Sequence, residues 1–337
     1  MGGYWDWGAQ VVVWLQTNMG GWKPLMQVLS FLGTEAFLLA LGIIIYWCID
    51  VSLGLRLGLI LAIGGSLGCL LKLAFHMPRP YWYDLRVQPM ASEATYGMPS
   101  SHSITAWSVG PWLGRRIQPS GGLAAGVLLA VGVSVSRIFL GVHFPGDVAA
   151  GLAIGLIVLF IVDWGIRNVG PLLKSAGFLA QLGAAAAASA VLLLTQAGIF
   201  AAIRAVVDPP VWAQNAARLV PVFPRDPSEI ISLAGLLLGL TAGLACQQRW
   251  ALFRADGPAG KRVLRFLLGV IALLIIWRGL PILWNEYAQP NGVAMALRYF
   301  RYSLVGYWAV FLAPLVFLRL RLAERGDGYI QAPKSAE

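Results

Sequence analysis

The sequence predicts an all-α fold, a polytopic bundle of membrane-crossing helices, and three observations carry that prediction. Only 12% of its residues are charged, about half the roughly 25% of a soluble globular chain. The mean hydropathy is +0.71. Runs such as LGLILAIGGSLGCLLKLAF and AGLAIGLIVLFIVDW are long enough to cross a bilayer core as helices.

Taken in order, the apolar runs give nine spans, over about 25–48, 53–75, 101–118, 121–141, 146–167, 176–198, 229–248, 263–285 and 299–319. The segment before them, MGGYWDWGAQVVVWLQTNMGG, lacks a basic start and a small-residue cleavage site, so it does not read as a cleaved signal peptide. Its Trp, Tyr and Val residues suit a helix lying in the membrane interface. Pro, Gly and charge mark the loops around FHMPRPYWYDLRVQP, VVDPPVWAQ, VPVFPRDPSE and FRADGPAGKR. Cys48, Cys69 and Cys246 fall within or at the edges of spans and read as small buried residues, neither a disulfide framework nor a metal knuckle.

A net charge of +10 would suit a nucleic-acid partner, but no basic run or basic amphipathic arm is present. The Lys and Arg residues are dispersed among short loops, as membrane orientation and anionic lipid require, so no nucleic-acid partner is expected. An inside C-terminus places Arg115/Arg116, Arg167/Lys174, the Arg249–Arg265 loop and the Arg319–Lys334 tail in the cytoplasm. The expected location is the cell (inner) membrane, with the 76–100 loop and the 140–146 connection facing outward, toward a periplasm where one exists.

Three polar clusters then gather at that outer face. KLAFHMPRP ends the second span with Lys72 and Arg79, and YGMPSSHS opens the third with Pro99, Ser100, Ser101 and His102. SRIFLGVHFPGD joins the fourth and fifth with Arg137, His143 and Asp147. Any one of these has a bland explanation: a lone Lys or Arg at a helix end usually snorkels, and His76 reads as structural. Their convergence on one face does not.

Lys72, Arg79 and Arg137 are cations at membrane depth that need an anion, and the planar fork of arginine suits phosphate. The SSHS segment at a helix start offers N–H groups and hydroxyls to the same anion. His143 and Asp147 are four apart, on one face of a helix entry, where the carboxylate fixes the imidazole tautomer. His102 is a second imidazole, placed to donate a proton. The set points to phosphoryl transfer through a histidine nucleophile. No Asp/Glu cluster is available for a hard divalent ion, so no metal or other cofactor is expected.

Read as one pattern, Lys-x6-Arg-Pro from Lys72, Pro-Ser-Ser-His at 99–102 and Ser-Arg-x5-His-x3-Asp at 136–147 resemble the type 2 phosphatidic acid phosphatase superfamily. That superfamily includes lipid phosphate phosphatases, undecaprenyl pyrophosphate phosphatases and glucose-6-phosphatase. The resemblance implies a six-span core over roughly 25–195. It implies that His143 forms a phosphohistidine, that Asp147 orients it, and that His102 protonates the leaving alcohol. Lys72, Arg79, Ser100 and Arg137 would hold phosphate oxygens, with Ser101 lending its backbone N–H. Ser101 stands where the family most often has glycine, which requires an ordinary backbone conformation there.

On this reading residues 1–198 form a phosphatase core with an N-terminal interfacial helix, and 199–337 add about three spans that dimerise, shape a lipid portal or bind a partner. The expected activity is hydrolysis of a membrane lipid phosphate or pyrophosphate, isoprenoid or glycerolipid. The alternatives are lipid-to-lipid phosphotransfer, a soluble sugar phosphate as substrate (RPYW after the first motif resembles glucose-6-phosphatase) and a non-catalytic headgroup-binding transporter.

Overall fold

In lipid a backbone has no partner but itself, so the apolar runs close their hydrogen bonds as helix. A computed structural model describes residues 2–218 and 223–326. It begins with α1 (Gly2–Asn18), α2 (Lys23–Leu32), α3 (Glu35–Cys48), α4 (Val51–Phe75) and the short α5 (Pro80–Tyr83). After a loop come α6 (Ser101–Ile117), α7 (Gly122–Phe139), α8 (Pro145–Trp164), α9 (Gly170–Ser175) and α10 (Phe178–Ile203). The last elements are α11 (Pro210–Ala216), α12 (Ser228–Trp250), α13 (Ala259–Leu274), α14 (Leu280–Leu283), α15 (Asn291–Tyr307) and α16 (Ala313–Arg319). Single π-turns at 165–169, 275–279 and 308–312 let α8 run into α9, α13 into α14 and α15 into α16. Among the described residues the only β-pairing is an isolated bridge between Phe253 and Arg325.

Among the described residues seven helices are long and apolar enough to cross a membrane, and an eighth crossing is made if α2 and α3 count as one broken span. The expected number was nine, and both differences have local causes. The run over 25–48 bends by 50° because Thr34 starts a new helix there. Its hydroxyl donates to Phe31 O at 2.7 Å and accepts from Phe37 N at 3.3 Å. The run over 101–118 is α6, only 17 residues long, broken in composition by Pro111 and ending on Arg115 and Arg116. The 327–334 part of the basic tail lies outside the described residues.

The helices fall into two compact units, and each can be described by itself. One comprises residues 1–38, 63–161 and 196–226. Its core is Leu73, Tyr81, Trp82, Tyr96, Phe139, Val142 and Phe144, with Ala9 and Val12 of α1 packed in. The N-terminal helix is therefore anchored to protein on one side, while Trp7 and Trp14 stay exposed as an interfacial helix requires. Helices α6 and α7 approach closely enough that a Cβ on Gly114 would lie 2.2 Å from Gly122 O, the small-residue contact by which membrane helices pack without a hydrophobic drive.

The second unit comprises residues 39–62, 162–195 and 227–337. Tyr46, Trp47, Phe253, Val310 and Phe317 form its core. Here α12 and α15 are the close pair, with Gly239 against Ser303 O. Its ion pairs include Arg56 with Asp163, and Arg301 with Glu286.

Candidate active site

Every candidate site residue singled out from the sequence lies in the first unit. Lys72 ends α4, Arg79 is the extended residue that caps α5, and Arg137 ends α7. His143 stands in the connection from α7 to α8, and Asp147 is in the first turn of α8. Lys72, Arg79, Arg137, His143 and Asp147 are all buried.

Asp147 contacts the histidine directly. Its Oδ2 lies 3.3 Å from His143 Nδ1 and also accepts from Phe144 N at 2.9 Å. On the other side of the ring, Arg79 Nη1 is 3.3 Å from His143 Nε2. A guanidinium nitrogen only donates, so Nε2 must accept and the ring proton belongs on Nδ1, toward the carboxylate. Burial, followed by the charges of Arg79 and Lys72, holds the His143 imidazole well below its usual range and therefore neutral. The Nε2 lone pair thus points away from Asp147 and toward Arg79.

Arg79 is held almost entirely by backbone. Nε donates to Thr95 O at 2.6 Å, and Nη1 to Val142 O at 3.0 Å. Nη2 donates to Thr95 Oγ1 at 3.2 Å and to Tyr96 O at 3.0 Å. With the contact to His143, all five guanidinium donors have a partner. Lys72 Nζ donates to Tyr96 O at 3.1 Å and to Gly97 O at 3.4 Å. The carbonyls of 95–97 are thus a common rack for both cations. Gly97 is required beside it: a Cβ there would lie 2.6 Å from Pro78 O and 3.2 Å from Asp147 Oδ2.

Arg137 differs. Nη1 donates to Ser30 Oγ at 2.7 Å and Nη2 pairs with Glu93, while its buried Nε has no hydrogen-bond partner. Glu93 is also 4.0 Å from Arg79. This carboxylate was absent from the sequence reading, which left the three cations in want of an anion. Burial opposes its charge, but Arg79 and Arg137 overcome that and hold it at about 2. Glu93 is fixed by its own backbone, which exchanges hydrogen bonds with Tyr81 OH at 2.9 and 3.3 Å. The only sequence signal is a lone acid in the short stretch MASEATYG.

The Pro-Ser-Ser-His segment opens α6 as expected. Ser100 is the N-cap: its hydroxyl accepts from Ser103 N at 3.4 Å, and its N–H donates to Asp147 O at 3.0 Å, tying the starts of α6 and α8 together. Ser101 is the first helical residue and has no positive φ, so the serine fits where glycine is usual. His102 follows on the same turn, half-buried, with its ring edge beside Gly33. His76 packs its ring 6.3 Å from that of Tyr96 and takes no part in the His143–Asp147 contact. Among the described residues no group of three or more His, Cys, Asp or Glu is placed to hold a metal ion.

The chain is similar to known proteins. A model of the PAP2 superfamily matches residues 53–170, and one described as "PAP2 superfamily phosphatase, transmembrane extension" matches 231–325. Phosphatidylglycerophosphatase B of Bacillus subtilis (strain 168) is 30% identical over 163 residues, covering 44% of this chain and 74% of that protein. The glucose-6-phosphatase catalytic subunit 1 of Haplochromis nubilus is 28% identical over 194 residues, covering 47% of this chain and 53% of that one. A crystal structure of the first transmembrane PAP2 type phosphatidylglycerolphosphate phosphatase from Bacillus subtilis is similar at 24% identity and a TM-score of 0.41, covering 49% of this chain and 85% of that chain. The chain spans about half the length, or less, of most of the curated relatives it matches. With two family models on its two halves, and a relative 30% identical of which it covers 74%, this multi-pass membrane protein belongs to the PAP2 superfamily of phosphatases.

Proposed function

We propose that the protein hydrolyses a lipid phosphate or pyrophosphate monoester, isoprenoid or glycerolipid, through a phosphohistidine on His143. The observation that carries this reading is the orientation of one ring: Nδ1 toward Asp147 and Nε2 toward Arg79, at 3.3 Å each. A phosphate entering beside Arg137 and Lys72 takes the Arg79 Nη1 donor away from Nε2 and frees the lone pair. Nε2 then attacks phosphorus. The P–N bond forms as the P–O bond to the lipid alcohol breaks, and protonated His102 gives that oxygen its proton. The imidazolium charge rests against Asp147, and the charge on the phosphoryl oxygens rests against Lys72, Arg79 and Arg137. Neutral His102 next takes a proton from water, whose oxygen displaces Nε2 and releases inorganic phosphate.

Three fixed cations do here what a divalent ion does elsewhere, which supports a metal-independent reaction. The distribution of Lys and Arg supports a site at the outer face of the cell membrane. There the lipid tail stays in the bilayer while the headgroup enters. Similarity to a glucose-6-phosphatase favours, as a second reading, a soluble sugar phosphate.

One panel tests these readings. The detergent-solubilised protein is given prenyl phosphate, prenyl pyrophosphate, phosphatidic acid and glucose 6-phosphate in excess EDTA, and released phosphate is measured. Release from a lipid, falling on the order of a thousandfold in His143→Ala, is the expected result. Activity surviving that substitution overturns the nucleophile. Activity on glucose 6-phosphate alone overturns the lipid reading. For orientation, a cysteine placed in the 85–95 loop should be labelled from outside, against a low background because Cys48, Cys69 and Cys246 are buried.

A further inference from the structure

Neither family model covers residues 171–230, yet the 196–226 part of that stretch belongs to the same compact unit as the site. Its contacts converge on one residue. Tyr96, completely buried, offers its carbonyl to Lys72 Nζ at 3.1 Å and to Arg79 Nη2 at 3.0 Å. At the other end of the same residue, the phenol donates to Asp208 Oδ2 at 2.5 Å and accepts from Arg225 Nε at 2.9 Å. Arg225 Nη2 is 3.2 Å from Asp208 Oδ2 and also donates to Val206 O at 2.9 Å. Burial and Asp208 push the phenol up to about 12, so it stays a donor at any working pH.

A second contact comes from the same stretch. Asn215 Nδ2 donates to Trp82 O at 2.9 Å, in the short helix that Arg79 caps, and the Trp82 and Tyr96 rings lie 6.4 Å apart. The backbone that carries Arg79 and the backbone that receives it are therefore both fastened to residues 203–225.

Resting on the phosphatase reading above, we infer that Asp208 and Arg225 are positioning residues of the active site, acting through Tyr96 to hold Lys72 and Arg79 where they bind phosphate. The argument is one of fixed geometry. Two cations share one carbonyl, so any rotation of that peptide moves both. An apolar ring could fill the Tyr96 cavity, but only a phenol fixed by a carboxylate and a guanidinium sets how the residue is turned within it. A displacement of about 1 Å at a reacting group costs on the order of a hundredfold in rate.

The test uses the full chain in detergent and the variants Tyr96→Phe, Asp208→Ala and Asp208→Asn. Tyr96→Phe keeps the ring and its burial and removes only the hydroxyl. Two quantities are measured: affinity for inorganic phosphate, as a thermal shift, and kcat and KM on phosphatidic acid. In Tyr96→Phe and Asp208→Ala, phosphate affinity should fall about tenfold and kcat/KM by tenfold to a hundredfold. Asp208→Asn keeps an acceptor for the phenol and should recover most of both. Parental phosphate affinity and kcat in folded Tyr96→Phe would overturn the inference, whatever its melting temperature. If Asp208→Ala does not fold, Tyr96→Phe decides alone. Phosphate binding is also read in a His143→Ala background, where no turnover is needed. Failure of the positioning role is thereby distinguished from failure of the phosphatase reading, which shows as no phosphate release by the parent from any substrate of the panel.

Discussion

The protein contains two clusters in which a pair of arginines surrounds one glutamate, and only one of them looks like a site. In the second unit Arg301 grips Glu286 with both ends of its fork, at 2.8 and 3.0 Å, and spends another donor on Trp277 O at 3.1 Å. Arg298 stands 3.9 Å from the same carboxylate, whose side chain is 3% exposed. In the first unit Glu93 faces Arg137 and Arg79 but is 30% exposed. Arg137 keeps a buried donor unpartnered, and an oriented histidine stands beside Arg79. Closed charge reads as scaffold; charge with an excess of donors and an oriented histidine beside it is suited to an anion.

The sharpest way to break that contrast is to remove one arginine from each cluster. Arg137→Gln should lower kcat/KM by on the order of a hundredfold to a thousandfold, the usual cost of losing one donor to transition-state charge. Arg301→Gln should leave kcat/KM near parental while costing about 3 kcal/mol of stability, because it strands a buried carboxylate. Thermal unfolding in detergent alongside phosphate release checks both. Reversal of the two outcomes would refute the distinction.

A smaller effect is expected from Glu93→Gln. It should cost about 2 kcal/mol, less than a fully buried pair because the carboxylate is partly wet. Added inorganic phosphate should raise the melting temperature of this variant more than that of the parent, since anion and carboxylate compete for the same guanidiniums. An equal shift in both would mean that they do not share the site.

The smallest effect is one of pH. Glu93 has its folded value lowered from 4.5 to about 2. Its ionised form therefore stabilises the fold fully above pH 4.5, and the contribution is lost as pH falls toward 2. The stability gap between parent and Glu93→Gln should be constant above that window and close within it.

Much of the site is legible in the sequence because short spacings create it. His143 and Asp147 are one helical turn apart, and Ser100 to His102 is a helix start with its cap included. What is not legible depends on distant partners. Glu93 is 44 residues from Arg137, and Tyr96 is 112 from Asp208 and 129 from Arg225; no local periodicity encodes such pairs. The helical fold follows from hydropathy, yet hydropathy does not register the bend at Thr34, which is a hydroxyl's capping bond within an apolar run. It places the run over 101–118 closely, α6 forming over Ser101–Ile117 with Pro111 inside it.

The orientation of the His143 ring has a consequence for acidity. On the proposed mechanism, a nucleophile already neutral, with its lone pair aimed at the incoming phosphorus, requires no proton to be removed before it attacks. Acidification therefore should not silence it in the range where free imidazoles become charged. An acid limb in the rate profile, where one is seen, reports the ionisation of the substrate phosphate or the recovery of His102 as a base. On that proposal the attacking group stays ready as the surrounding pH falls.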